Sequence, residues 1–95
     1  MMSLSLLGAT GSIGQSVAKV LAEAPGRFSV EAVVSGRDAD ALAKMALKVG
    51  ARFAAVADPA AGRRLAELLS GTGIACGAGP SAVMEAAARE VDMVV

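Results

Sequence analysis

Three glycines near the start of the chain have the spacing of a phosphate-binding turn. Gly8, Gly11 and Gly14 follow the apolar run of residues 4–7 and lead into an amphipathic segment. Gly8 permits a tight turn, Gly11 lets the backbone approach a pyrophosphate, and Gly14 lets the helix pack closely on the strand, because none has a Cβ atom. The spacing is G-x-x-G-x-x-G rather than G-x-G-x-x-G, so the flanking strand and helix strengthen the prediction. A purely structural glycine turn is the alternative.

The backbone amides at the start of the next helix supply the predicted anion site. They point out of the helix start, where the helix dipole favours an anion by about 0.3–1 kcal/mol. The residues concerned are Thr10, Gly11, Ser12 and Ile13. Thr10 and Ser12 add hydroxyl donors. A P-loop is excluded, because Gln15 stands where the phosphate-binding lysine belongs.

The end of the second predicted strand indicates which nucleotide binds. No carboxylate lies directly at this strand end, where an acidic residue would bind the ribose hydroxyls of NAD. Arg37 follows instead, and its guanidinium group suits a 2′-phosphate. The sequence therefore predicts NADP(H) over NAD(H), with a solvated surface charge as the alternative role of Arg37. Asp38 is a helix N-cap that could also reach the adenosine ribose.

The composition excludes several classes of site. The chain has no His, so it contains no Ser-His-Asp triad and no His-bearing zinc site. Nine basic residues balance nine acidic ones without a Lys/Arg block, which argues against nucleic acid or a membrane surface as partner. No carboxylate pair is placed for acid–base work or metal binding, so we expect neither catalytic nor metal residues here.

The cysteine and the chain's N-terminus indicate a reducing compartment. Cys76 has no partner for an internal disulfide and is expected to be a small buried hydrophobe. Residues 1–7 lack the basic region of a signal peptide, and the uncharged residues 68–84 are interrupted by glycines and Pro80. We expect a cytoplasmic protein without a membrane span.

Strand-like and helix-like runs alternate along the chain. Strands are predicted at residues 4–7, 28–34, 53–57, 74–76 and 91–95. Helices are predicted after Ser12, after the cap Asp38, after Asp58-Pro59, and from Pro80. This alternation predicts an α/β fold, a Rossmann-like three-layer αβα domain with a mostly parallel sheet. Residues 1–95 are interpreted as one NADP(H)-binding domain, the first part of a longer enzyme, because no covering helix follows the last strand.

Each predicted helix also has an apolar side. The first carries Ile13, Val17, Val20, Leu21 and Ala24 as one stripe, and the fourth carries Val83, Met84 and Ala87.

Three stretches of the sequence resemble the N-terminal domain of the 1-deoxy-D-xylulose 5-phosphate reductoisomerases. They are residues 7–16 (LGATGSIGQS), 25–28 (PGRF) and 35–37 (SGR), and the similarity extends over the whole chain. The resemblance implies an NADPH-dependent enzyme of the methylerythritol phosphate route to isoprenoid precursors. Such an enzyme rearranges 1-deoxy-D-xylulose 5-phosphate and reduces the resulting aldehyde to 2-C-methyl-D-erythritol 4-phosphate.

The resemblance also implies the enzyme's assembly and its cofactor contacts. It implies a homodimer and a divalent cation, Mg²⁺, Mn²⁺ or Co²⁺, whose ligands lie beyond this segment together with the substrate-phosphate residues. These 95 residues are therefore not expected to be active alone. The family often has lysine and asparagine where this chain has Arg37 and Asp38. The cofactor contacts carry over to Thr10, Gly11, Ser12, Ile13, Gly36, Arg37 and Asp38.

Two other functions remain open from the sequence. One is an NADP-dependent reductase with the same glycine spacing, either an aspartate-semialdehyde dehydrogenase or an extended short-chain reductase. The other is a non-catalytic module that senses a nucleotide by changing its conformation or its oligomeric state.

Overall fold

The computed structural model describes all residues, 1–95, and contains every predicted strand and helix. The strands are β1 (Met2–Leu7), β2 (Phe28–Ser35), β3 (Phe53–Val56), β4 (Ala75–Ala78) and β5 (Met93–Val94). The helices are α1 (Ser12–Glu23), α2 (Ala39–Val49), α3 (Gly62–Leu69) and α4 (Pro80–Ala88), and a 3₁₀ turn (Pro59–Ala61) precedes α3. None of these helices is long and apolar enough to cross a bilayer.

All strand pairings are parallel, in the order β4-β3-β2-β1-β5. The chain steps outward from β1 to β4 and then returns to place β5 on the other side of β1. Right-handed crossovers in two opposite directions place their helices on opposite faces of the sheet. Accordingly, one apolar cluster joins the sheet to α1, α2 and α3, and a second joins it to α4. The predicted three-layer α/β fold is confirmed, and the sheet is wholly parallel.

Side-chain hydrogen bonds explain why β4 and β5 begin later than predicted. The Ile74 amide donates to Thr72 Oγ1 at 3.2 Å, and this turn delays β4 by one residue. The Ser3 amide donates to the Asp92 carboxylate at 2.8 Å, where a strand carbonyl would otherwise accept. The regular ladder of β5 therefore begins only at Met93.

The apolar stripes of α1 and α4 are only partly buried, which the sequence did not predict. Helix α1 instead buries Gly14 and Ala18, while Ile13 and Val20 are 73% and 57% exposed. Helix α4 likewise buries alanines, and Met84 is 71% exposed. Small side chains allow a helix to approach the sheet closely, so the larger ones are displaced to its flanks.

The displaced side chains of α1 form one wall of an apolar groove. The groove encloses about 440 Å³ and runs along α1, β1 and β5. Ile13 and Val20 face Leu4, Phe28 and Met93 across it.

An exposed ion pair joins α2 to α3 and predicts a small pH dependence of stability. Arg64 Nη2 lies 2.9 Å from Asp40 Oδ1. This hydrogen bond lowers the pKa of Asp40 below its ordinary 3.8 and raises the pKa of Arg64. A carboxyl group whose pKa is depressed by folding stabilises the fold above its unfolded pKa, and the contribution is lost as pH falls through the folded pKa.

We therefore expect Asp40→Asn to lower the free energy of unfolding slightly at about pH 7 and by a smaller amount at about pH 2, because the contribution is lost as the pH falls through the pKa of the folded state. Urea unfolding at the two pH values measures this difference. Glu85→Gln, which removes an unpaired surface carboxylate, is the control. An equal loss for Asp40→Asn at both pH values would contradict the assignment.

Candidate functional site

Backbone hydrogen bonds hold the glycine turn at the carboxyl edge of the sheet. The amides of Gly8 and Ala9 both donate to the Val34 carbonyl of β2, at 2.9 and 2.7 Å. On the other side, the Leu7 amide donates to the Val95 carbonyl at 2.8 Å. The turn therefore lies between the ends of β2 and β5, where the strand order reverses. In open parallel sheets, ligands bind in the crevice at this point.

Glycine stands at the three positions of the turn for three different structural reasons. Gly8 has φ +77°, a conformation that side chains disfavour. A Cβ atom on Gly14 would lie 2.6 Å from the Ala9 carbonyl carbon, so the helix can pack here only on glycine. Gly11 is extended, and a Cβ atom added to it would meet only the Gly8 oxygen, at 3.4 Å. The backbone at Gly11 thus borders open space.

The start of α1 is open, whereas the start of α2 is capped. In α2, the Asp38 carboxylate accepts a hydrogen bond from the Ala41 amide at 3.0 Å. No side chain caps α1, its first turn contains no acidic residue, and the amides of Ser12 and Ile13 have no backbone acceptor. The positive end of the α1 dipole and its free donors are therefore available to an anion.

The loop after β2 lies beside the glycine turn, because the turn is bonded to Val34. The Gly36 carbonyl accepts from the Asp58 amide at 2.8 Å, which fixes the loop. Arg37 is exposed and forms no ion pair within 4.0 Å. Asp38 is the predicted N-cap of α2. The structure thus brings both groups of predicted contact residues, in the glycine turn and after β2, to one sheet edge.

A polar pocket between α1 and α2 contains residues that the sequence patterns did not assign to the site. It has a volume of about 380 Å³ and is lined by Thr10, Gln15, Ala41, Lys44, Met45 and Lys48. Gln15 Nε2 donates to the Thr10 carbonyl at 3.4 Å. The signal in the sequence was the spacing of Lys44 and Lys48, which places both on the side of α2 that carries Ala41.

The residues of this chain do not fit a divalent cation. No three His, Cys, Asp or Glu side chains lie close enough together to hold a metal ion.

Cys76 is half-buried in the edge strand β4.

Comparison with known proteins finds one family along almost the whole chain. Residues 4–95 match the family model described as 1-deoxy-D-xylulose 5-phosphate reductoisomerase. Curated relatives of that name are 54% identical in Bradyrhizobium sp. (strain ORS 278) and 53% identical in Rhodopseudomonas palustris (strain BisB18). Each comparison covers 98% of this chain and 23% of the relative, so the chain spans less than a quarter of their length.

Solved structures of the same name have the same fold. The enzyme from Zymomonas mobilis in complex with NADPH superposes with a TM-score of 0.94 at 34% identity, over 98% of this chain and 24% of that one. A reductoisomerase in complex with NADPH, fosmidomycin and magnesium gives 0.86 at 27% identity, over 99% of this chain and 24% of that one. These matches identify the family as the reductoisomerases rather than the semialdehyde dehydrogenases or extended short-chain reductases that the sequence left open. The chain belongs to the 1-deoxy-D-xylulose 5-phosphate reductoisomerase family.

Proposed function

We propose that residues 1–95 are the NADPH-binding domain of an enzyme that converts 1-deoxy-D-xylulose 5-phosphate to 2-C-methyl-D-erythritol 4-phosphate. The observation that carries this proposal is the uncapped start of α1 beside the open space at Gly11, in a chain of this family. The whole enzyme acts in the cytoplasm as a homodimer. It takes its phosphosugar substrate, and a divalent cation, at residues beyond these 95.

The glycine turn and the start of α1 receive the pyrophosphate of the nucleotide. The amides of Ser12 and Ile13 donate to the pyrophosphate, Thr10 adds its hydroxyl, and the absence of a Cβ on Gly11 lets the phosphates approach the backbone. This arrangement fits two linked phosphates, because the free donors and the dipole favour negative charge at the same point.

The loop after β2 receives the adenosine end of the nucleotide. The ribose lies along Gly36, Arg37 pairs with the 2′-phosphate, and Asp38 lies next to the ribose with one carboxylate oxygen held by the Ala41 amide. NADPH supplies the hydride for the reduction. The contribution of this chain is to bind the nucleotide and orient it at the crevice.

We expect Gly11→Ala to fold normally and to bind NADPH about tenfold more weakly, because the added methyl group occupies the space that the phosphates need. Titration followed by nicotinamide fluorescence measures the affinity, and circular dichroism confirms the fold, since the chain has no Trp or Tyr. Ser70→Ala, which changes an exposed side chain after α3 and away from the proposed contacts, is the control. If the folded wild-type chain binds no NADPH, the proposed function is wrong.

A further inference from the structure

The pocket between α1 and α2 carries positive charge that no group in the chain neutralises. Lys44 and Lys48 both line it, and neither forms an ion pair within 4.0 Å. The carboxylates near the start of α2 are already engaged. Asp40 is paired with Arg64, and Asp38 caps the Ala41 amide. The pocket therefore favours negative charge.

Lys44 is the lysine that helix geometry directs toward the glycine turn. Side chains in an α-helix lean toward its N-terminus, so Lys44 extends over the first turn of α2, where Ala41 lines the same pocket. Thr10, in the glycine turn, forms the opposite wall with Gln15. Lys48 lies one turn further along α2 and also lines a separate pocket with Leu21 and Phe28.

The position of the pocket selects the part of the nucleotide that it receives. The pyrophosphate is assigned to the start of α1, and the adenosine extends from there toward the end of β2. The pocket lies on the side of the glycine turn toward the end of β2, between Thr10 and α2. Helix α2 begins three residues after Gly36, so the pocket is close to the loop after β2. Its volume of about 380 Å³ leaves room for a phosphate group.

We propose that Lys44 is a second cationic contact of the NADPH 2′-phosphate, which it binds from the helix side while Arg37 binds it from the loop after β2. The inference rests on the proposed function, because it assumes that the nucleotide occupies the glycine turn. It adds a residue from α2 to a contact set otherwise drawn from the glycine turn, the first residues of α1 and the loop after β2. Specificity for the phosphorylated ribose is then shared between a loop and a helix.

The test compares ligands that differ only by the 2′-phosphate. Calorimetric titration of the chain with 2′,5′-ADP and with ADP gives the contribution of that group, and NADPH and NADH give the same comparison with the whole cofactor. We expect Lys44→Gln to lower the affinity for 2′,5′-ADP and for NADPH about three- to fivefold and to leave the affinities for ADP and NADH unchanged. Lys44→Arg keeps the charge and is expected to restore most of the affinity.

The matched control is Lys19→Gln, which removes an unpaired lysine of α1 that lines none of the pockets. The inference is wrong if Lys44→Gln changes the affinity for 2′,5′-ADP no more than Lys19→Gln does. It is also wrong if Lys44→Gln lowers the affinity for ADP as much as the affinity for 2′,5′-ADP. Titration with inorganic phosphate tests whether the pocket binds free phosphate rather than the nucleotide. If Lys44→Gln weakens the binding of inorganic phosphate but not of 2′,5′-ADP, the assignment to the 2′-phosphate is wrong. Failure of the proposed function is distinguishable, because the wild-type chain would then bind neither NADPH nor 2′,5′-ADP.

Discussion

Gly14→Ala is expected to lower the free energy of unfolding by about 1–3 kcal/mol, the usual cost of forcing an extra methyl group into a packed site. The new Cβ atom would lie 2.6 Å from the carbonyl carbon and 2.8 Å from the Cα of Ala9. These are backbone atoms, and Ala9 is fully buried, so neither side can move aside as a flexible side chain would. The loss is a large part of the roughly 5–15 kcal/mol that stabilises a typical domain.

Denaturant unfolding followed by far-ultraviolet circular dichroism measures this loss. Gly11→Ala is the matched control from the same turn, because its Cβ would approach only the Gly8 oxygen, at 3.4 Å. We expect the control to unfold at nearly the wild-type denaturant concentration. Equal midpoints for Gly14→Ala and Gly11→Ala would mean that the helix does not depend on glycine for its approach to the turn. The two variants separate Gly14, which lets the helix pack closely, from Gly11, which leaves room for the ligand.

The order of the elements was predictable because turn residues mark nearly every junction. The cap Asp38 and the left-handed Gly50 delimit α2 as expected, and Asp58 caps the turn before α3. The position of the glycine turn between strand and helix was also predictable. These features depend on residues close together in the sequence, which is why local patterns identify them.

The buried face of each helix was less predictable, because it depends on how closely the helix approaches the sheet. Hydrophobic periodicity gives weight to large side chains, such as Ile13 in α1 and Met84 in α4. In the structure, Gly14 and Ala82 are buried instead, and Ile13 and Met84 are exposed. The approach distance is a tertiary property, so periodicity alone predicted which residues are apolar but not which ones are buried.

The site shows the same division between local and tertiary information. The glycine spacing and Arg37 were visible in the sequence, because each belongs to one loop. Lys44 is distant from the glycine turn in the sequence and becomes its neighbour only when α2 packs beside α1. A lysine in the middle of a helix otherwise looks like an ordinary solvated charge.

Arg37→Ala is expected to reduce the preference for NADPH over NADH by about 10- to 100-fold. A hydrogen bond to a charged group contributes about 1.5–3 kcal/mol, and each 1.4 kcal/mol is a factor of ten in affinity. Arg37 is exposed, so solvent screening favours the lower part of this range. The loss should fall on NADPH, while NADH, which has no 2′-phosphate, should bind nearly as it does to the wild type.

Parallel titrations with the two nucleotides at low and high salt measure this change. Arg27→Ala is the control, because it removes another exposed, unpaired arginine. Arg27 directly precedes β2, so it lies at the amino-terminal ends of the strands and away from the proposed site. Arg37→Lys should retain much of the preference, because a lysine keeps the charge but loses the paired donors of the guanidinium group. If Arg37→Ala and Arg27→Ala weaken NADPH equally, the effect is one of overall charge and the assignment of Arg37 to the 2′-phosphate is wrong. A preference that falls only with Arg37→Ala, and that weakens with salt in the wild type, assigns the selection of NADPH to the loop after β2.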